Sequence, residues 1–305
     1  MTLDQLNYVI LIAETGSITE AARRLFLTQP SLSAAVHELE NELGISIFHR
    51  TNHGVTVTPD GEKFLGYARQ VAEQVNLIRE QYLGETPSRH QFCVSTQHYS
   101  FAVKAFSELL RQYGGAEYDF RIRETKTWEI LDDVAQYRSA VGVLYLNSFN
   151  ETVLRKVMRE GGLESHLLFT AKPHIFISTA SPLAGKQAIR LEDLEPYPRL
   201  SYEQGEHNAF YYSEEILSTR HSPKDIMVSD RATLFNLLIG LDGYTICSGV
   251  INKDLNGENI IARPLEVDDE MRIGYIIPKR TAPGHYATLY IRLLEQYARE
   301  SGGTA

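Results

Sequence analysis

The chain has 305 residues, 43% hydrophobic and 23% charged, enough to bury the cores of two or three compact units and too apolar for a disordered protein. Its formal net charge of −9 excludes a protein that coats nucleic acid by bulk attraction. No run approaches the roughly 18 apolar residues of a membrane helix, and Met1-Thr2-Leu3-Asp4 has no basic segment or apolar run, so a cytoplasmic protein with no membrane partner is expected. Cys93 and Cys247 are too few for a disulfide framework or a metal site, and both fall in apolar strand-like runs where a thiol packs as a small hydrophobe.

Leu3, Leu6, Ile10 and Ala13 predict a first helix ending near Gly16. Ser17 then caps a second, with Glu20 placed to complete a capping box and Ile18, Ala21, Ala22 and Leu25 on one face. After a turn at Phe26 and Leu27, Thr28 caps a third helix with Pro30 in its first turn, an apolar stripe of Leu32, Val36, Leu39 and Leu43, and a stop at Gly44. Pro30, Ser33, Ala34, His37 and Asn41 are left on the opposite face. This is the pattern of a helix-turn-helix that offers its second helix to a DNA major groove, with Thr28, Gln29, Pro30, Ser31, Ser33 and His37 as groove candidates.

ISIFHRTNHGVTVTP next alternates as two short strands about a turn at Thr51-Asn52-His53-Gly54, the wing of a winged helix. Arg50 is the phosphate candidate there, with Asn52 and His53 beside it. Residues 1–60 hold Arg23, Arg24 and Arg50 as their cations against Asp4, Glu14, Glu20, Glu38, Glu40, Glu42 and Asp60. A DNA reader with so few cations must place them well or bind as a multimer.

Thr58 and Pro59 start a long helix, and Phe64, Ala68, Val71, Val75, Ile78 and Tyr82 form a heptad seam before Gly84. A span of about 37 Å suits a dimerisation helix presenting two recognition helices to a pseudo-palindromic double-stranded operator. Gly84 to Ser88 is a hinge by composition.

Strands then alternate with helices: QFCVSTQ, a helix through Phe106 and Leu110, YDFRIRE, a helix through Trp128, Leu131 and Val134, and AVGVLYL. That order predicts a mostly parallel sheet covered on both faces. A second series from Gly162 holds HLLFT, HIFIST, RLSY, DIMVS, the helix ATLFNLLIGL and YTICS, and RIGYIIPKR with HYATLYIRLLEQYARE returns to the first sheet. The expected boundaries are 1–58 for the winged helix, 59–88 for the linker helix and hinge, and 89–305 for an α/β ligand domain. Within that domain, one subdomain covers about 89–161 and 268–305 and the other about 162–267.

Ligands of open α/β sheets bind beyond the carboxyl ends of strands. This selects Thr96, Gln97, His98, Tyr99 and Ser100, then Thr125 with Trp128, then Ser201 with Tyr202, and Ser248; Ser229-Asp230 reads as a helix cap. A small polar ligand, a carboxylate among the candidates, would meet aromatic walls from Tyr99, Trp128 and Tyr202. With no nucleophile elbow, Gly-rich phosphate loop or metal-ligand cluster, no catalytic or metal-binding residue and no cofactor is assigned.

Three pieces in this order, LDQLNYVILIAETGSITEAARRL, TQPSLSAAVHELENELGISIFHR and VTVTPDG, resemble the DNA-binding domain of LysR-type transcriptional regulators. SPLA at 181–184 and LEDL at 191–194 resemble the effector domain of that family. The resemblance implies a winged helix-turn-helix, a linker helix, and two Rossmann-like subdomains similar to periplasmic binding proteins. It also implies a small-molecule effector in their cleft, a homotetramer built on the dimer, and RNA polymerase as a candidate partner. Thr125 and the hydroxyl-rich segment 96–100 match family positions that face the effector. Ala34 and His37 stand where many members carry basic residues, which implies fewer base contacts and more shape readout. Regulation through Cys93 or Cys247, as in some members, is the alternative, and an enzyme fused to a DNA-binding domain comes after it.

Overall fold

The computed structural model describes residues 1–51, 54–79, 82, 90–113, 118–207, 209–250 and 257–300. The chain divides into two compact units, Met1–Thr86 with Gln136–Arg138, and Pro87–Ala135 with Ser139–Ala305.

In the first unit α1 (Leu3–Thr15) begins at a capping box between Thr2 and Gln5 and ends where Gly16 turns left-handed at φ 62°. Its buried stripe is Leu6, Val9 and Ile12, while Leu3 is 43% exposed, so the helix is rotated from the expected stripe. The helix α2 (Ile18–Arg24) is capped by Ser17, which accepts the Glu20 N–H, but the expected box is only half formed. The Glu20 carboxylate turns instead to Arg23 and Arg24, at 2.8 Å from each, and the Ser17 N–H donates to Thr15 Oγ1.

The helix α3 (Gln29–Leu43) starts at its Thr28 cap and stops at Gly44, with Leu32, Val36 and Leu39 buried. Strands β1 (Phe48–Thr51) and β2 (Gly54–Val57) pair antiparallel as the wing. Thr58 caps α4 (Pro59–Ile78), whose Leu65 is fully buried in a core with Val9, Ile12, Leu32, Leu39 and Ile47. Gly61 permits this packing, because a Cβ there would run into the Ile47 carbonyl. The expected extension of the helix toward Gly84 falls at residues 80, 81 and 83–89, outside the described residues.

The second unit runs β3 (His90–Thr96), α5 (Ser100–Tyr113), β4 (Tyr118–Glu124), α6 (Thr127–Ala135), β5 (Val141–Leu146), α7 (Glu151–Glu160), β6 (Leu163–Ala171), β7 (His174–Ser178) and β8 (Arg199–Tyr202). It continues with β9 (Asp225–Val228), α8 (Arg231–Gly240), β10 (Thr245–Cys247), β11 (Ile260–Pro264), β12 (Met271–Pro278) and α9 (His285–Glu300). A five-stranded sheet has the order β4-β3-β5-β12-β6. Its β4-β3-β5 part is parallel, as expected, and β12 returns to it antiparallel to both β5 and β6. Every residue of β5 is buried, which is why VGVLYL reads as an unbroken apolar run.

The pairing of β6 with β12 corrects the boundary drawn at 162: HLLFT belongs to the first sheet, and the second subdomain begins after Ala171. That subdomain holds the sheet β10-β7-β11, antiparallel throughout, and the parallel pair β8-β9, so it is more mixed than the expected parallel series. Helices α5 and α9 cover the first sheet, where Phe92, Phe106 and the fully buried Tyr290 pack ring to ring and the Tyr290 hydroxyl donates to the Ala102 carbonyl at 3.1 Å. Among the described residues no helix is long and apolar enough to cross a membrane.

Candidate functional site

The first candidate surface is the outer face of α3. With Leu32, Val36 and Leu39 turned inward, Thr28, Gln29, Pro30, Ser31, Ala34, His37 and Asn41 are exposed and Ser33 is half-buried. Thr28 Oγ1 accepts the Ser31 N–H at 3.3 Å and pairs with the Ser31 hydroxyl at 2.7 Å, while the Gln29 amide donates to Ser33 Oγ at 2.9 Å. These short-range bonds hold the polar groups in a row along the first turns of the helix. Arg50 sits in β1 with its side chain outside the described set, and Asn52 and His53 lie outside the described residues.

Phe26, in the turn before this helix, combines φ 55° with 96% exposure. It is the residue of the turn that periodicity does not single out. Glu20, hydrogen-bonded by Arg23 and Arg24, has its carboxyl held down at about 2, so both arginines reach the surface already carrying an anion. Glu40 ties α3 to the wing by accepting the Ile47 and Phe48 N–H groups at 2.7 and 3.2 Å.

The second candidate site is a cavity of about 560 Å3, counting its open mouth, within the second unit. It is lined by His98 and Tyr99, which follow β3, by Ser100 at the start of α5, and by Tyr202, Glu214, Glu215, Arg231 and Ser248. Of the ten residues chosen from strand ends, His98, Tyr99, Ser100, Tyr202 and Ser248 meet there.

The other five do not line it, for identifiable reasons. Thr96 and Gln97 are spent in the core. The Thr96 hydroxyl donates to the Gln97 carbonyl at 2.7 Å, and the Gln97 amide reaches Thr127 at 2.7 Å and accepts the Tyr145 N–H at 3.0 Å. Thr125 donates to Glu129, Trp128 stacks on His207 at 4.1 Å, and Ser201 is a ladder residue of β8.

Sequence reasoning missed Glu214, Glu215 and Arg231, together with the apolar Phe176 and Phe235. The adjacent acids of YYSEE were the available signal, since two carboxylates in an aromatic stretch are unusual. Here both are buried, at 8% and 5% exposure. Glu214 accepts the His98 N–H at 3.0 Å and faces His98 Nδ1 at 3.0 Å, which assigns that ring nitrogen as the donor. The His98 ring lies flat on Tyr202, centroids 3.7 Å apart and planes within 3°. Arg231, in the first turn of α8, is paired with Glu124, and its Nε has no partner among the described residues. Glu215 accepts the Tyr202 N–H at 2.9 Å.

Burial, reinforced by the neighbouring Glu214 charge, pushes the Glu215 carboxyl up to about 8. Burial likewise raises Glu124 in spite of Arg231, and keeps the Tyr99 and Tyr202 phenols neutral. The two thiols are also pushed up by burial: Cys247 in the cavity wall, and Cys93, whose sulfur accepts the Ser139 hydroxyl at 3.3 Å. A raised thiol is a poor nucleophile and a poor metal ligand at neutral pH. Among the described residues no cluster of three or more His, Cys, Asp or Glu could hold a metal ion.

A helix-turn-helix with a wing, followed by a two-part α/β domain with a cavity in its middle, defines a class of regulator, and the comparisons agree. Residues 3–62 match the profile of the bacterial regulatory helix-turn-helix protein, lysR family, and residues 92–299 match that of the LysR substrate binding domain. The chain belongs to the LysR family of transcriptional regulators, with an N-terminal DNA-binding helix-turn-helix and a C-terminal substrate-binding domain. It is 27% identical to the HTH-type transcriptional regulator AlsR of Bacillus subtilis over 65% of this chain and 63% of that one. It is 24% identical to the RuBisCO operon transcriptional regulator of Allochromatium vinosum over 92% of this chain and 90% of that one. The match to AlsR thus falls just short of two thirds of that regulator's length. Among solved structures, a full-length OxyR variant from Pseudomonas aeruginosa superposes with a TM-score of 0.69 at 20% identity, covering 98% of this chain and 95% of that one, a likeness of fold.

Proposed function

We propose that the protein binds a pseudo-palindromic DNA operator in the cytoplasm as a dimer, and that a small organic molecule in the cavity of the second unit sets its affinity for that operator. The observation that carries the reading is the division of α3 into a buried stripe of Leu32, Val36 and Leu39 and an exposed polar row from Thr28 to His37. The helix N-terminus and the hydroxyls of Thr28 and Ser31 suit phosphate oxygens, and Gln29 suits an adenine edge. Arg50, Asn52 and His53 are the wing contacts of this reading, and Ser33 and His37 complete the groove set.

Dimerisation is assigned to α4 because its own unit leaves the later part of its seam exposed. Val71 and Ile78, and Tyr82 beyond the end of α4, are 42%, 56% and 74% exposed, while Leu65 and Ala68 nearer the start of the helix are buried. Pairing of two such dimers as a tetramer and contact with RNA polymerase follow from the family and rank below the dimer. Ligand and operator affinities are then reciprocally linked.

Selection of bound sequences from a random duplex library at fixed salt, using the full chain, tests the DNA reading. The expected result is an enriched motif of two half-sites about one helical turn apart. A single asymmetric half-site would refute the dimer, and absence of enrichment would refute sequence-specific binding.

A further inference from the structure

Resting on the reading of the cavity as the effector site, we propose that the effector is an organic cation, a protonated amine on an apolar or aromatic body, and that Glu215 receives the ammonium group. Glu214 and Arg231, the other acid and the arginine of the cavity wall, each have a partner. Glu214 is bound twice by His98, at its backbone N–H and at Nδ1, and Arg231 is ion-paired with Glu124, its Nε alone lacking a partner among the described residues. Glu215 is the remainder. It is 5% exposed, lines the cavity, accepts the Tyr202 N–H, and has no cation at ion-pair distance among the described residues.

Arg199, whose charge reaches Glu215 from β8, is itself engaged by both oxygens of Asp225 at 2.9 and 3.0 Å. Glu214, Tyr99, Tyr145, Tyr202 and Cys247 also lie around Glu215 and supply no positive charge, and the basic groups of the cavity wall, Arg231 and His98, are bound to Glu124 and Glu214. A buried carboxylate with no counter-charge keeps its proton. An incoming ammonium provides the missing charge, and the proton leaves to solvent as the ammonium docks.

The walls fit the rest of such a molecule. Tyr202 presents an aromatic ring, and Phe176 and Phe235 meet edge to face with centroids 6.3 Å apart, an apolar corner in which ring faces also favour a cation. A ligand carboxylate, one of the candidates raised by the strand-end residues together, would instead join Glu214 and Glu215 with one arginine for company, and that arginine is already paired with Glu124.

The test uses the full chain and two probe pairs matched in shape and opposite in charge: phenethylamine with 3-phenylpropionate, and tyramine with 3-(4-hydroxyphenyl)propionate. Thermal melting is followed at millimolar probe, then calorimetry at pH 7 in two buffers of different ionisation enthalpy. The amines are expected to raise the Tm by a few degrees and the acids not to. Amine binding at pH 7 is expected to release a proton, because Glu215, its carboxyl pushed up to about 8, is mostly protonated there. Glu215→Gln, an isostere of the protonated acid, should weaken amine binding by about tenfold or more and abolish the release.

Stabilisation by the acids alone, or by neither series, overturns the proposal. So does amine binding without proton release that survives Glu215→Gln, which would leave Glu215 a packing group. Operator affinity measured beside each melt separates the two levels. Acids that stabilise and shift operator affinity refute the cation while sparing effector control, whereas amines that bind and leave operator affinity unchanged uphold the cation and refute effector control.

Discussion

The winged-helix unit keeps the groove part of its candidate DNA face on one helix and its cap, where Thr28 bonds Ser31 and Gln29 bonds Ser33, three and four residues apart. The cavity of the second unit is closed by His98 with Glu214 and Arg231 with Glu124, partners 116 and 107 residues apart. A surface that asks only for one exposed helix face is specified by local periodicity, because the apolar stripe fixes which side chains are left over. A cavity has no such local rule. Its chemistry depends on which charges find partners after distant segments meet, and here that sum leaves Glu215 over.

The independence of the two surfaces is tested hardest at the stripe itself. Leu39 is fully buried, so its truncation removes apolar contacts from the core and leaves a cavity there. Leu39→Ala is expected to cost about 3–5 kcal/mol of winged-unit stability and abolish operator binding while leaving probe binding to the cavity intact, as read by urea denaturation and calorimetry. Loss of both activities would show that the two surfaces are not built independently.

Next comes the pH response of Glu215. The folded chain holds this proton up to about pH 8, whereas the ordinary carboxyl value is 4.5, so between these values the folded state binds more protons than the unfolded. Stability on this account is fullest below about pH 4.5, falls as pH rises through that window, and levels off above 8. Glu215→Gln removes the loss, and denaturant titrations from pH 5 to 8.5 should show the variant gaining on the parent, on the order of 3 kcal/mol by the upper end. A constant difference across that range would place Glu215 in contact with water or with a cation.

His98→Ala probes the same long-range pairing at lower cost. It leaves the buried Glu214 with the backbone N–H as its remaining bond from this residue and strips the stacked face from Tyr202. A loss of about 2 kcal/mol is expected by chemical denaturation, with the DNA-binding unit unaffected.

A last and weaker effect has the opposite sign. Phe26 is exposed and left-handed, so nothing in the fold rewards its ring. Phe26→Asn, a residue that tolerates this conformation, should stabilise by about 0.5–1 kcal/mol in thermal unfolding. A loss of operator affinity in the same variant would make Phe26 a DNA contact.

Local sequence was enough to set the helix-turn-helix, its caps at Ser17, Thr28 and Thr58, and its stops at Gly16 and Gly44. Each of these rests on a preference of neighbouring residues for one backbone conformation or one face, which a short window displays in full. Long-range packing settled the rest. It rotated α1 to bury Val9 in place of Leu3 and placed β6 in the first sheet, while Glu20 left its capping box for Arg23 and Arg24 of its own helix. It also sent Gln97 into the core and brought the acids of YYSEE into a cavity. Those outcomes turn on partners more than twenty residues away or on competition between several polar neighbours, and a carboxylate looks the same in the sequence whether it will face solvent, an arginine or the wall of a cavity.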